Sequence, residues 1–217
     1  MNTSSPFQAD NLFEIVYKAS DSVKTEEDLN LLISDFDADL LCSQMESLSV
    51  SQLVKFLRVS HNYYLSKKLP EIEQSLLHIR EKYSNTHGLL AGLAVYFNNY
   101  KKKLVKHIRM EEEVFFPFIE SLVLASEGRL SPEETKELLQ ATSLADFEDN
   151  HDSIEEELRE VEQIIKAYAS QTEQVLPFSV FLNQVTLFEY ELRKHAVIED
   201  MVLVKKVADL EAELRNV

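Results

Sequence analysis

The chain has 217 residues, of which 45% are apolar, and a formal charge of −16 at pH 7. That size suits one domain, or one with a small appendage, and the acidic excess argues against nucleic acid or an anionic membrane as partner. Three Gly and five Pro speak against an all-β chain with its frequent turns and for long helices. Cys42 is the single cysteine, which excludes a disulfide framework and a cysteine zinc motif; it reads as a small buried hydrophobe. No apolar run approaches membrane-spanning length, and the start lacks a basic-then-apolar signal pattern, so a cytoplasmic location is the expectation.

Residues 1–50 read as an N-terminal helical extension, with Asp10 capping a helix over Asn11–Ala19 and Thr25 with Asp28 signalling another near Leu29–Ile33. Residues 51–217 read as a bundle of four long helices. The first covers Ser51–Lys68, with Val54, Leu57, His61 and Tyr64 on one face; Leu69-Pro70 interrupts or kinks it before the pattern resumes over Glu71–Lys82. A connection is expected over Tyr83–Gly88. The second helix spans about Leu89 to Ala125, kinked near Pro117, with the seam Leu93, Phe97, Tyr100, Leu104, His107, Glu111, Val114, Phe118. Its four-three steps keep one face toward the neighbours. Ser131-Pro132-Glu133-Glu134 is a capping signature for a short helix. The third long helix covers Leu144–Tyr168, with His151 in its seam. The fourth follows Pro177, with the seam Phe181, Val185, Phe188, Leu192, His195, Glu199, Val202; a further step of four reaches Lys206, where the stripe ends or drifts.

Each long helix thus carries one His on its apolar face: His61, His107, His151 and His195, with separations of 46, 44 and 44 residues. In an up-down bundle such spacing places the four imidazoles at one level of the core. His107 and His195 each bring a Glu one turn on, Glu111 and Glu199, and His151 is followed by Glu155 at the same interval. A buried carboxylate costs several kcal/mol unless a positive charge offsets it, and neither seam supplies a basic partner in reach. Imidazoles and carboxylates converging in a bundle core suit two metal ions better than one tetrahedral zinc. Iron fits the ligand set, with manganese or zinc as alternatives. The acidic runs Glu111–Glu113 and Glu155–Glu157 read as solvated faces with only their first members turned inward. Tyr64 and Tyr100 read as core packing, Tyr100 also as a hydrogen-bond donor behind His107.

These motifs resemble those of the hemerythrin-like, HHE cation-binding proteins, and within them the bacterial di-iron proteins assigned to repair of iron centres. The resembling pieces are Ser60-His61 through Leu69-Pro70-Glu71, His107-x-x-x-Glu111-Glu112-x-Val-Phe-Phe-Pro117, Asn150-His151-Asp152 and His195-x-x-x-Glu199-Asp200. The resemblance implies an all-α, antiparallel up-down four-helix bundle with short extra N-terminal helices. It also implies a non-haem di-iron site on His61, His107, Glu111, His151, His195 and Glu199, the two Glu bridging. The repair branch adds a further His, for which His87 is the candidate, with Tyr83 and Glu155 as alternatives. Glu155 stands where oxygen-carrying hemerythrins have a second His, which disfavours simple reversible oxygen carriage. Val204-Lys205 stands where many relatives have Phe-Pro.

The expected function is binding of, or reaction with, a small diatomic or peroxide (O2 or NO) at two iron ions, in oxidative or nitrosative stress or iron-centre repair. The alternative is an iron- or oxygen-sensing or metal-storing module without turnover, whose N-terminal helices meet a protein partner.

Overall fold

The computed structural model describes residues 25–82, 87–148 and 176–216, together with Phe13, Val16, Tyr17, Ser20 and Val23. Every regular element among the described residues is helical. Local sequence starts these helices, at Thr25 by the expected signal and at Asp37 and Ser49 by caps that the sequence reading did not single out. Thr25 and Asp28 exchange side-chain and backbone hydrogen bonds ahead of α1 (Glu26–Ser34), satisfying two amides that a first helical turn leaves without partners. Asp37 accepts from the Leu40 amide to cap α2 (Ala38–Met45), and Ser49 with Gln52 repeats the reciprocal box ahead of α3 (Val50–Tyr63).

The first long rod is α3, a π-helical turn π1 (Tyr64–Lys68) and α4 (Leu69–Lys82). The second is α5 (His87–Met110), π2 (Glu111–Phe115) and α6 (Phe116–Ser126). Gly128, at φ 68°, ends it; the left-handed conformation costs glycine little. The short α7 (Pro132–Ala141) begins at the expected Ser131–Glu134 box. Of the expected third helix only α8 (Leu144–Glu148) is described; its first amide donates to Glu211 Oε2 at 3.0 Å. The last rod is α9 (Leu176–Ile198), π3 (Glu199–Leu203) and α10 (Val204–Arg215). His87 and Gly88 belong to α5 rather than to the expected connection, because Gly at the first turn of a helix is easily accommodated.

The rods are antiparallel where the expectation requires it. The start of the first packs on the end of the second (α3 on α6) and its end on the start of the second (α4 on α5). The last rod lays α9 along α4, π3 along α3 and α10 along α6, so it opposes the first and runs with the second. One apolar core joins them, including Phe56, Leu57, Phe97, Leu104, Phe116, Ile119, Phe188 and Val207. Val16, Tyr17, Leu41 and Met45 belong to that same core. Tyr17 stacks toward Phe56 and lies near Phe13 and Tyr63. The Lys194 ammonium donates to the Val16 carbonyl.

The π turns correct the expected seams. A π turn bonds i to i−5 and holds one residue more than an α turn, so positions after it advance by one on the helix face. Val114, expected in the seam, is 51% exposed and Phe115 takes its place at 3%. Likewise, of the two alternatives at Lys206 the stripe drifts rather than ends, passing to Leu203 and Val207, both fully buried. At Leu69-Pro70 and at Pro117, where an interruption or kink was expected, the rods pass through π turns. Each proline follows the residue closing a π turn, with Leu69 N–H bonded to Tyr64 O and Phe116 N–H to Glu111 O, so the missing amide and ring clash fall where the α ladder is already broken. Val204-Lys205 closes π3 by the equivalent bond, Val204 N–H to Glu199 O, with no proline present.

Candidate metal centre

The π turns mark one level of the bundle. Glu111 opens π2 and Glu199 opens π3, each one turn after its His; His61 lies three residues before π1. Such turns recur at functional sites because they re-aim side chains without breaking the rod.

Three of the expected side chains meet there. His61, Glu111 and His195 each offer a ligand atom within 4.8 Å of the others, and all three are buried. The His61 and His195 Nε2 atoms face each other at 3.2 Å, and Glu111 Oε2 lies 3.1 Å from His61 Nε2. The other oxygen of Glu111, Oε1, is 2.7 Å from His107 Nε2. Glu199 Oε2 is 3.4 Å from His195 Nε2. Thus His61, His107, Glu111, His195 and Glu199 form one connected cluster. Glu111 is 0% exposed and Glu199 1%, a burial that ionised carboxylates tolerate only with compensating charge. Glu199 Oε1 and His195 Nδ1 are buried with no hydrogen-bond partner among the described residues. His151, Tyr83 and Glu155 lie outside the described residues, as does the side chain of His87. His78 is exposed on α4.

Electrostatics in the metal-free chain carry the same message. Burial lowers the proton affinity of His61, but hydrogen bonds and attraction from Glu111, Glu112 and Glu199 outweigh it and push the imidazole up to about 9. The surrounding carboxylates thus favour positive charge at the His61 imidazole. Two imidazole nitrogens and a carboxylate oxygen aimed at one point are the geometry of a cation's ligands. The donor set, nitrogen and oxygen without thiolate, suits iron, manganese or zinc.

One residue departs from expectation. Glu112 is not simply solvated: it is half-buried, and its Oε1 accepts from His61 Nδ1 at 2.8 Å. Its Oε2 accepts from Arg58 Nε at 3.0 Å, and Arg58 reaches on to Glu120 at 2.5 Å. Burial raises the Glu112 carboxyl, but His61 and Arg58 outweigh it and hold the group below its ordinary range. The signal for it was Arg58, one turn before His61 on the rim of the same face. Behind the cluster, Tyr64 sets its ring edge-on to His195, centroids 5.7 Å apart. Its hydroxyl donates to the Glu191 carbonyl at 3.2 Å and lies 2.6 Å from that of Tyr17. Burial pushes both phenols up. Glu191, fully buried, pairs with Lys68 at 3.0 Å.

A cavity of about 210 Å³ opens beside Glu199, lined by Met110, Phe115, Leu144, Phe147, Asp200 and Val204. Its walls are mixed, the Glu199 and Asp200 carboxylates beside apolar side chains, and its volume admits a small molecule but not a large one.

Residues 54–207 match the hemerythrin HHE cation binding domain family. Among curated proteins, the iron-sulfur cluster repair protein ScdA of two Staphylococcus epidermidis strains is similar, 20% identical over 161 residues that cover 74% of this chain and 68% of the relative. No solved structure gives a significant match. No helix among the described residues is long and apolar enough to cross a membrane.

Proposed function

The chain belongs to the hemerythrin HHE cation-binding family, and from that premise we propose that it holds two iron ions at the His61–Glu111–His195 level and presents them to a small diatomic or peroxide. His61, His107 and His195 would hold the ions as neutral imidazoles and Glu111 and Glu199 as carboxylate ligands; His151, outside the described residues, is the further candidate that the sequence offers. When bound, the iron pair supplies open coordination positions and redox chemistry toward O2, NO or peroxide. The observation that carries this reading is the division of Glu111, one oxygen toward His61 at 3.1 Å and the other toward His107 at 2.7 Å. A carboxylate so divided suits two cations, one beside each imidazole. The chain's own part is to hold these groups in a dry core and to exchange the His61 proton for a cation. The cavity beside Glu199 gives a small ligand a place next to the cluster. The similarity to an iron-sulfur cluster repair protein supports a role in iron-centre repair, within a response to oxidative or nitrosative stress.

A second reading has a specific observation behind it. Tyr17 joins Tyr64 beside His195, so iron loading can be felt by residues 1–50, the N-terminal extension of the bundle. This makes the chain a sensor or store without turnover that meets a protein partner there.

The test is addition of O2 or NO to the anaerobic, iron-loaded protein. The proposal expects new near-ultraviolet and visible bands; loading with a single zinc and no response to either gas would refute it. The sensor reading expects iron-dependent proteolysis around residues 10–45 and no turnover.

A further inference from the structure

We infer that Glu112, anchored by Arg58, is a positioning residue that makes His61 a more strongly donating imidazole than His195 and fixes which of its nitrogens faces the cation. This rests on the metal-binding reading above and deepens it. Three contacts hold the His61 ring. Nδ1 donates to Glu112 Oε1 at 2.8 Å, the face stacks on Phe116 at 5.5 Å and 11°, and Nε2 points at Glu111 and His195. With Nδ1–H committed to a carboxylate, the Nε2 lone pair is the one left for a cation, and the partial negative charge passed into the ring strengthens it as a donor. Glu112 cannot turn away, because its second oxygen is held by Arg58 Nε at 3.0 Å. Arg58 is held in turn: its guanidinium lies 5.6 Å from the centre of the same Phe116 ring, and its fork reaches Glu120. The order Glu120–Arg58–Glu112–His61 thus runs from solvent to the core.

His195 differs. Its Nε2 faces that of His61, yet its Nδ1 has no hydrogen-bond partner among the described residues. The two imidazoles that meet at 3.2 Å are therefore unequal, one backed by a carboxylate and the other not. Sequence position does not require Glu112 here. It lies one residue past the seam, and the π turn that begins at Glu111 swings it toward His61.

The experiment uses the full chain and cobalt(II), whose visible bands report ligand strength and geometry directly. Glu112→Ala is expected to lower cobalt affinity by about 10–100-fold, the range for losing a partner behind a ligating His, and to shift the cobalt bands. Glu112→Gln keeps an acceptor for Nδ1–H and loses the charge, so it should restore the wild-type band pattern with a smaller loss of affinity. Melting of the metal-free variants is followed alongside. Glu112→Ala with wild-type affinity and bands overturns the inference. So does a loss of affinity that merely tracks a lower melting temperature with the bands unmoved. A wild-type chain that takes up no cobalt instead overturns the metal-binding reading itself, so the two failures are distinguishable.

Discussion

In the metal-free protein His61 carries a proton that the folded state holds to about pH 9, against about 6.5 for an ordinary histidine. A folded-state value above the unfolded one means that the folded chain binds this proton more tightly. The resulting stability is fully present below about pH 6.5 and is lost as pH rises through about 9. The size follows from the same shift: about 2.5 pH units at 1.36 kcal/mol each gives roughly 3 kcal/mol. His61 is only 3% exposed, so solvent screening takes little from this figure. Urea unfolding in the presence of chelator, from pH 6 to 9.5, should therefore show a decline of that order, and His61→Gln should flatten it. A cation loaded into the cluster replaces the proton, so the loaded protein should show no such decline, and metal uptake near neutral pH should release about one proton from His61. A chelated wild-type protein whose stability stays level across this range, or declines as steeply in His61→Gln, would refute the reasoning.

Other substitutions test the surroundings of the cluster. Lys68→Met leaves the fully buried Glu191 without its 3.0 Å partner and should cost about 3–5 kcal/mol in chemical denaturation. Tyr17→Phe removes the 2.6 Å hydroxyl contact to Tyr64; Tyr64 keeps its bond to the Glu191 carbonyl, so the loss should be about 1 kcal/mol in the same assay. Ser131→Ala removes the reciprocal box of α7 and should cost about 1 kcal/mol, with metal affinity unchanged in a chelator competition.

Much of this was legible in the chain because the seams are strongly periodic. His61, His107, Glu111, His195 and Glu199 interrupt apolar stripes at helical spacing, and the structure brings them together. The box at Ser131 was equally plain and that at Thr25 a weaker signal, since each depends on residues three apart. The π turns were not, because a 3.6-residue pattern carried past Glu111 or Glu199 assigns Val114 and Lys206 to places that Phe115 and Val207 occupy. Pro70 read as an interruption or kink and Pro117 as a kink, where the rods pass through π turns. Glu112 was hidden among three consecutive acidic residues, where only its contact with Arg58 and His61 sets it apart. Lys68, Glu191 and Lys194 were missed too. Their burial depends on one another and on the N-terminal residues: burial lowers Lys194 to about 8 against the pull of Glu191, while it raises Glu191 against Lys68. No helical period encodes such pairing across elements.

On the proposed function, Glu111 and Glu199 are buried in order to hold cations. Metal content of the anaerobically purified chain, beside Glu111→Ala and Glu199→Ala, tests it most directly. About two iron ions per wild-type chain are expected, with clear loss in both variants while circular dichroism shows the helices intact. A wild-type chain without metal after reconstitution, or variants that retain the wild-type content, would contradict it.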